Sequence, residues 1–222
     1  LTATSFSGSG ANLTGISAGL STDEYENTSG GINALDSLSA GNATDNTAIG
    51  YEALTANTTG DANTGIGASA LNANTTASNN TGIGFRALRL NTTGQYNTAV
   101  GSVSLDKNTT ASNNTAIGYG ALNSTTTGAN NTGVGYLSLS ANTTGDTNTA
   151  VGGQSLYNNT TASGNTAVGR GTLNANTTGS LNTGVGRGAL NQNTTANDNT
   201  AVGMNALNQN TVGSQNVGVG NS

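Results

Sequence analysis

The stretch NTAIGYEALTANTTGDA at residues 46–62 decides the reading of this chain, because ten successive versions of it follow one another without an insertion. Asn stands at 46, 63, 80, 97, 114, 131, 148, 165, 182, 199 and 216, always 17 residues apart. Gly follows four places later each time, from Gly50 to Gly220, and the residue before that Gly is always Ile or Val. Leu occupies the ninth place of every full unit, from Leu54 to Leu207. A fixed period of this kind is the signature of a repeat architecture and takes precedence over local propensity.

A 17-residue unit is too short for a helical hairpin and fits one coil of a parallel β-solenoid or β-roll. β-Branched residues at places two, four, thirteen and fourteen suit strands, and the recurring Gly and Asn suit turns. Within NTAIG, Thr and Ile/Val share one strand face, while Ala/Gly at place three and Gly at place five share the other. Places six–seven, ten–eleven and sixteen–seventeen vary, which marks turns or solvent-facing positions. Coils stacked about 4.8 Å apart give a rod roughly 50 Å long. The Asn at place one is expected to form a ladder of amides along it, as in other stacked-strand structures. The NTT run at places twelve to fourteen is expected to form a second ladder, with Thr125 replacing its Asn in one unit and Val212 its last Thr in another. Each coil offers two sizeable aliphatics for burial, the Ile/Val and the Leu. The face of Ala and Gly reads as a place where the backbone of another chain approaches, and so as pressure toward oligomerisation.

Working outward from the repeat, composition narrows the chemistry. Asn, Thr, Gly, Ala and Ser make up 159 of the 222 residues, only 7% are charged, and there is no Pro, His or Cys. Ser-His-Asp and Cys-His nucleophilic sites and ordinary zinc sites are excluded, as are disulfides. Five basic residues against ten acidic ones carry the wrong sign for a nucleic-acid binder. No apolar run reaches the length of a membrane span, so no membrane insertion is expected of this segment. Residues 1–45 hold five acidic residues and no Lys or Arg, whereas residues 46–222 are balanced. Residues 1–45 are therefore read as an acidic capping region with degenerate repeats, and 46–222 as the regular array of ten full units plus a partial one. In the first region LTGISAGL (13–20) and GGINALDSL (30–38) read as degenerate units, aligned by Ile16, Ile32 and Ile49. The run SFSGSGANLTGI (5–16) reads as a separate element or linker. The chain starts at Leu1 and stops within a unit, so a longer native chain is expected.

NTAIGYEAL and its copies resemble the NSVAIG-type repeats of the YadA-like heads of trimeric autotransporter adhesins, and similar repeats in phage tail-fibre proteins. SFSGSGANLTGI resembles segments of marine phage tail fibres. The resemblance covers residues 46–222 and rests on a polar, Thr/Ser, small, Ile/Val, Gly pattern. It implies a left-handed parallel β-roll that trimerises into a rigid fibre binding host surfaces, outside the cell, on its surface or on a virion tail. The unit here is longer than the usual family repeat, with the NTT segment as the addition.

No catalytic, cofactor or metal site is expected. Asp61 and Asp146 share place sixteen but stand five coils apart, roughly 24 Å, too far for a carboxylate pair. The Gly-rich strings recur in every coil without a following helix or Lys, so they are packing glycines rather than a phosphate loop. N-x-[ST] matches at Asn57, Asn74 and Asn91 are read as structural ladder positions, with glycan acceptors as the alternative. The place-six aromatics Tyr51, Phe85, Tyr119 and Tyr136 line one edge and are candidate contacts for a sugar or a partner, or pack on neighbouring turns. The expected function is a non-enzymatic fibre segment in adhesion or host attachment, a homotrimer contacting a host glycan or receptor. The alternatives are an ice-binding solenoid using Thr ladders and a subunit of an extracellular filament or sheath.

Overall fold

The computed structural model describes residues 21–38 and 43–221. It is an all-β stack of 13 short strands in one sheet, ordered as in the sequence. Strand β1 is Ser21–Thr22, β2 is Thr28–Gly30 and β3 is Thr47–Ile49; β4 to β13 follow at 17-residue intervals, from Thr64–Ile66 to Val217–Val219. From β2 onward every neighbour is parallel, and from β3 each residue pairs with its equivalent one unit later: Thr47 with Thr64, Ile49 with Ile66. The chain is a β-solenoid of about eleven turns, with its strands at places two to four of each unit.

The faces of those strands are reversed from the expectation that both aliphatics are buried. Ala48, Ala99, Ala116, Ala150, Ala167 and Ala201 at place three are fully buried, while Ile83, Ile117, Val151, Val168, Val185 and Val202 at place four are 36–41% exposed. The cause is the narrow cross-section of the coil. Leu at place nine swings across the interior, and a Cβ added to Gly65 lies 3.3 Å from Leu54 Cγ. Place three therefore has room for Ala or Gly and nothing larger, and the branched residues beside it are turned out. The small-residue face is thus the inside of the same chain, not a landing site for another one.

The leucines Leu54 through Leu190 at place nine are fully buried and, with the Ala residues, form the core. They adopt a left-handed backbone, φ 51° at Leu54 and 50° at Leu190. That conformation costs a non-Gly residue energy and persists only where its surroundings hold it. Here Leu54 N–H donates to Ala70 of the next coil at 3.0 Å, and its carbonyl accepts from Asn57 N–H at 3.1 Å.

Both Asn ladders are present and inside. At place one, Asn63 Nδ2 donates to Asn46 Oδ1 at 3.1 Å and to the Ala77 carbonyl at 2.8 Å, and its backbone N–H also reaches Asn46 Oδ1. At place twelve, Asn74 Nδ2 donates to Asn57 Oδ1 and to the Ala77 carbonyl. Where the ladder is unbroken each buried amide thus finds partners in its own coil and the adjacent ones, which offsets the cost of burying it. Beside them the place-thirteen hydroxyls bond upward, as Thr58 Oγ1 does to the Thr75 carbonyl at 3.0 Å. Thr125 interrupts the second ladder, and the damage is local: Asn108 Oδ1 and Thr125 Oγ1 are both buried without a partner.

At the N-terminal end, Thr28 pairs with Thr47 and Leu35 N–H bonds the Ala53 carbonyl, so the first coil is offset by 19 residues rather than 17. NTSGGINAL (27–35) then aligns with NTAIGYEAL (46–54), and Ile32 falls opposite Tyr51, not Ile49. Asn27 joins the ladder through Asn46 Nδ2. Residues 13–20, the other degenerate unit, lie outside the described residues. β1 runs antiparallel along the outer edge of β2. The turn between them closes on Asp23, whose Oδ1 accepts from Tyr25 and Asn27 N–H. Burial pushes the Asp23 carboxyl up, but hydrogen bonds from the Asn27 side chain and the backbone of Asn27 and Tyr25 outweigh it and hold it below its ordinary value. The contact therefore stabilises the turn above the ordinary carboxylate value and is lost as pH falls through the depressed one.

Three substitutions test this packing. Thr125→Asn supplies the missing donor to Asn108 Oδ1 and an acceptor for Asn142, and is expected to raise stability by about 1–3 kcal/mol, read as a higher thermal midpoint. Gly118 has φ 129°, and a Cβ there lies 2.6 Å from the Gly135 carbonyl oxygen of the next coil. Gly118→Ala is expected to cost about 1–3 kcal/mol, while Tyr119→Ala beside it costs under about 1 kcal/mol; calorimetry of the two variants checks the order.

Candidate functional site

Two surfaces of the solenoid carry rows of exposed or half-exposed side chains. The first is the outer face of the sheet. Each coil contributes one Thr and one Ile or Val, so a Thr row from Thr47 to Thr200 lies beside an aliphatic row from Ile49 to Val219. No charged residue occurs at either place in any unit. The Thr side chains are half-buried, and among the described residues none of these hydroxyls is bonded within the chain. The aliphatic row is the feature the sequence could not place, since alternation separates two faces without telling which is inward.

The second surface is the edge at place six. The Gly at place five turns the chain outward, and the place-six backbone is held by the next coil, as where Leu137 N–H meets the Tyr119 carbonyl at 2.9 Å. The side chain is left free. Tyr51, Phe85, Tyr119 and Tyr136 are accordingly 51–57% exposed. Tyr119 and Tyr136, on successive coils, stack with centroids 5.8 Å apart and planes at 16°. Arg86 lies over the Phe85 ring at 5.8 Å. Tyr51 has no aromatic neighbour on this edge; its hydroxyl pKa is raised by a hydrogen bond to Glu52 and the charge of that carboxylate. Among the described residues only the Tyr119–Tyr136 pair forms a continuous aromatic platform.

The carboxylates have other work. Asp61 Oδ1 accepts from Thr44 N–H at 2.9 Å and Asp146 Oδ1 from Ala129 N–H at 2.7 Å, each stitching its turn to the preceding coil. Asp106 is buried and held by two arginines, at 3.0 Å from Arg86 Nη2 and 2.8 Å from Arg89 Nε. Among the described residues no group of three or more carboxylates stands close enough to hold a metal ion. Asn57, Asn74 and Asn91 are fully buried with their amides in the ladder, so in the folded chain they present no glycan acceptor. No helix among the described residues is long and apolar enough to cross a membrane.

No family model, curated protein or solved structure matches this chain.

Asp106→Asn leaves two guanidiniums facing a neutral amide in a mostly buried site. The expected loss is about 1.5–3 kcal/mol, measured as a lowered midpoint in urea with the exposed aromatic edge unaffected in its fluorescence.

Proposed function

We propose that this chain is a segment of a non-enzymatic fibre, on a cell surface or a virion tail, that holds an adhesive tip or edge away from its base. In this reading three copies of a left-handed roll pack side by side along their length, each turning its Thr–Ile/Val face to the common axis. The observation that carries the reading is that face: two uncharged rows in register over about eleven coils, with half-exposed branched side chains and unpartnered hydroxyls. Burying such aliphatics is favourable at about 25 cal/mol per Å², and a contiguous apolar strip of this length is unusual on a monomer. A second copy is the occupant that fits best, because it carries the same coil spacing and no charge to offend. The resemblance of NTAIGYEAL to adhesin-head and tail-fibre repeats agrees with it, and the exposed edge at place six then faces outward for a host glycan or receptor.

Light scattering after gel filtration tests this. The expected mass is three chains, and Val134→Lys with Val168→Lys is expected to give single chains with an unchanged far-ultraviolet spectrum, since both positions point away from the coil interior. A single-chain mass for the unaltered protein at tens of micromolar contradicts the reading.

One observation favours a second reading, an ice-binding solenoid. The outward Thr belongs to place two, so a regular array of hydroxyls and methyls faces solvent along the whole single chain. Thermal hysteresis from a single-chain species supports it; a trimer that buries the face and shows none removes it.

A further inference from the structure

A cleft of about 400 Å³ lies on the place-six edge, over the coils that begin at Asn148, Asn165, Asn182 and Asn199. Its origin is local. Place seven carries a side chain in most coils but is Gly171 and Gly188 in two successive ones, and the missing side chains open a trough closed at its ends by Gln154 and Asn205. Arg170 and Arg187, both exposed and one coil apart, stand along it.

The charge there is unbalanced. Between residues 147 and 197 there is no Asp or Glu, and these two arginines are the only charged side chains, in a chain of net charge −5. Among the described residues neither takes part in a salt bridge, in contrast to Arg86 and Arg89, which share the buried carboxylate of Asp106. The Arg187 guanidinium has only Met204 Sδ, at 3.5 Å. Two like charges about one strand spacing apart repel each other, and an anion placed between them relieves that repulsion.

The opposite wall is polar and fixed. Asn174 Nδ2 donates to the Gln154 carbonyl at 3.0 Å, Asn191 Nδ2 to Gly171 at 2.8 Å and Asn208 Nδ2 to Gly188 at 2.9 Å. Each amide is thus oriented by the coil before it, and the Oδ1 atoms of Asn191 and Asn208 also accept from the Nε2 of Gln192 and Gln209 at 3.0 and 3.2 Å. The volume is at the lower end of small-ligand sites, the walls are amides rather than aliphatics, and a pair of guanidiniums offers bidentate donors to carboxylate or sulfate oxygens. The stacked Tyr119 and Tyr136 lie on the same edge, an aromatic platform further along the rod.

From these we infer that the cleft at Arg170 and Arg187 binds an acidic saccharide, a sugar bearing a carboxylate or sulfate group. The arginines take the anionic group, and Asn174, Asn191 and Gln154 take ring hydroxyls. The inference deepens the adhesive reading and rests on it for its setting. The cleft lies off the Thr–Ile/Val face, so sugar binding and chain association are measured separately.

Titration calorimetry on the intact chain tests it with a heparin-derived tetrasaccharide, an oligoglucuronate, a neutral cello-oligosaccharide and inorganic sulfate. The expected result is binding of one or both acidic oligosaccharides, at least tenfold weaker binding of sulfate, and none of the neutral sugar. Arg170→Gln with Arg187→Gln is expected to weaken the acidic sugars at least tenfold, with the mass by light scattering unchanged; Arg86→Gln is expected to leave binding as it was. Gly171→Asn, whose added Cβ meets nothing closer than Asn191 Nδ2 at 3.6 Å, fills the trough without altering charge and is expected to weaken sugar binding as well. The inference is overturned if no acidic sugar binds, if neutral sugar or sulfate binds equally well, or if the double arginine variant binds undiminished. None of those outcomes bears on whether the chains associate.

Discussion

Everything in this molecule depends on buried amides that are satisfied by neighbouring coils. A side-chain amide inside a protein is costly unless every polar atom finds a partner. Here Asn at places one and twelve meets that demand by bonding the equivalent Asn one unit away and a carbonyl in the turn nearby. The arrangement works only if successive coils have the same length and the same backbone, which is a physical reason for a period that holds from Asn46 to Asn216. It also explains how a chain with so few aliphatics holds a fold: the interior is largely hydrogen-bonded polar side chains, Ala, and one Leu per coil. Where one Asn is missing, at Thr125, the fault is confined to that residue and Asn108, because each amide also retains bonds outside the ladder.

The same economy sets the surface. A coil narrow enough for Asn ladders and a Leu spanning it admits only Ala or Gly on the inward side of its strand. The branched residues are then displayed rather than buried, and the protein carries an aliphatic row on its outside. An interior too small for its own Ile and Val is thus the physical origin of the exposed aliphatic row. The place-six edge follows from the neighbouring Gly: a backbone at φ near 130° turns the chain out of the sheet, and whatever residue comes next is exposed. Variation along that edge, from aromatic at Tyr119 and Tyr136 to cationic at Arg170 and Arg187, changes the surface without touching the scaffold.

The period, the strand at NTAIG and both Asn ladders were legible in the sequence, because each rests on spacing or residue type alone, whereas the place-six aromatics could be set on one edge but not told exposed from packed on the neighbouring turns. The direction of the strand faces was not. Alternation says that Ala48 and Ile49 point opposite ways, and hydrophobicity alone places Ile49 inside; the Leu54 side chain, which fills the interior across the coil, decides otherwise. The first coil was misaligned for a similar reason. Ile32 matches Ile49 by type and distance, yet the ladder fixes Asn27 under Asn46, and two extra residues before Asn46 absorb the difference. The cleft at Gly171 and Gly188 was illegible because it is made by side chains that are missing from two adjacent coils, which a reading by single units passes over.

The claim that the Thr–Ile/Val face is where copies of this chain meet is tested most directly by a single introduced thiol, since the chain contains no Cys. Val151→Cys places one in the outward aliphatic row, and Thr161→Cys places a control on the exposed NTT turn. Under mild oxidation at dilute concentration, the account predicts rapid linkage of chains through residue 151 and none through residue 161. Equal linkage at both positions, or none at 151, contradicts it.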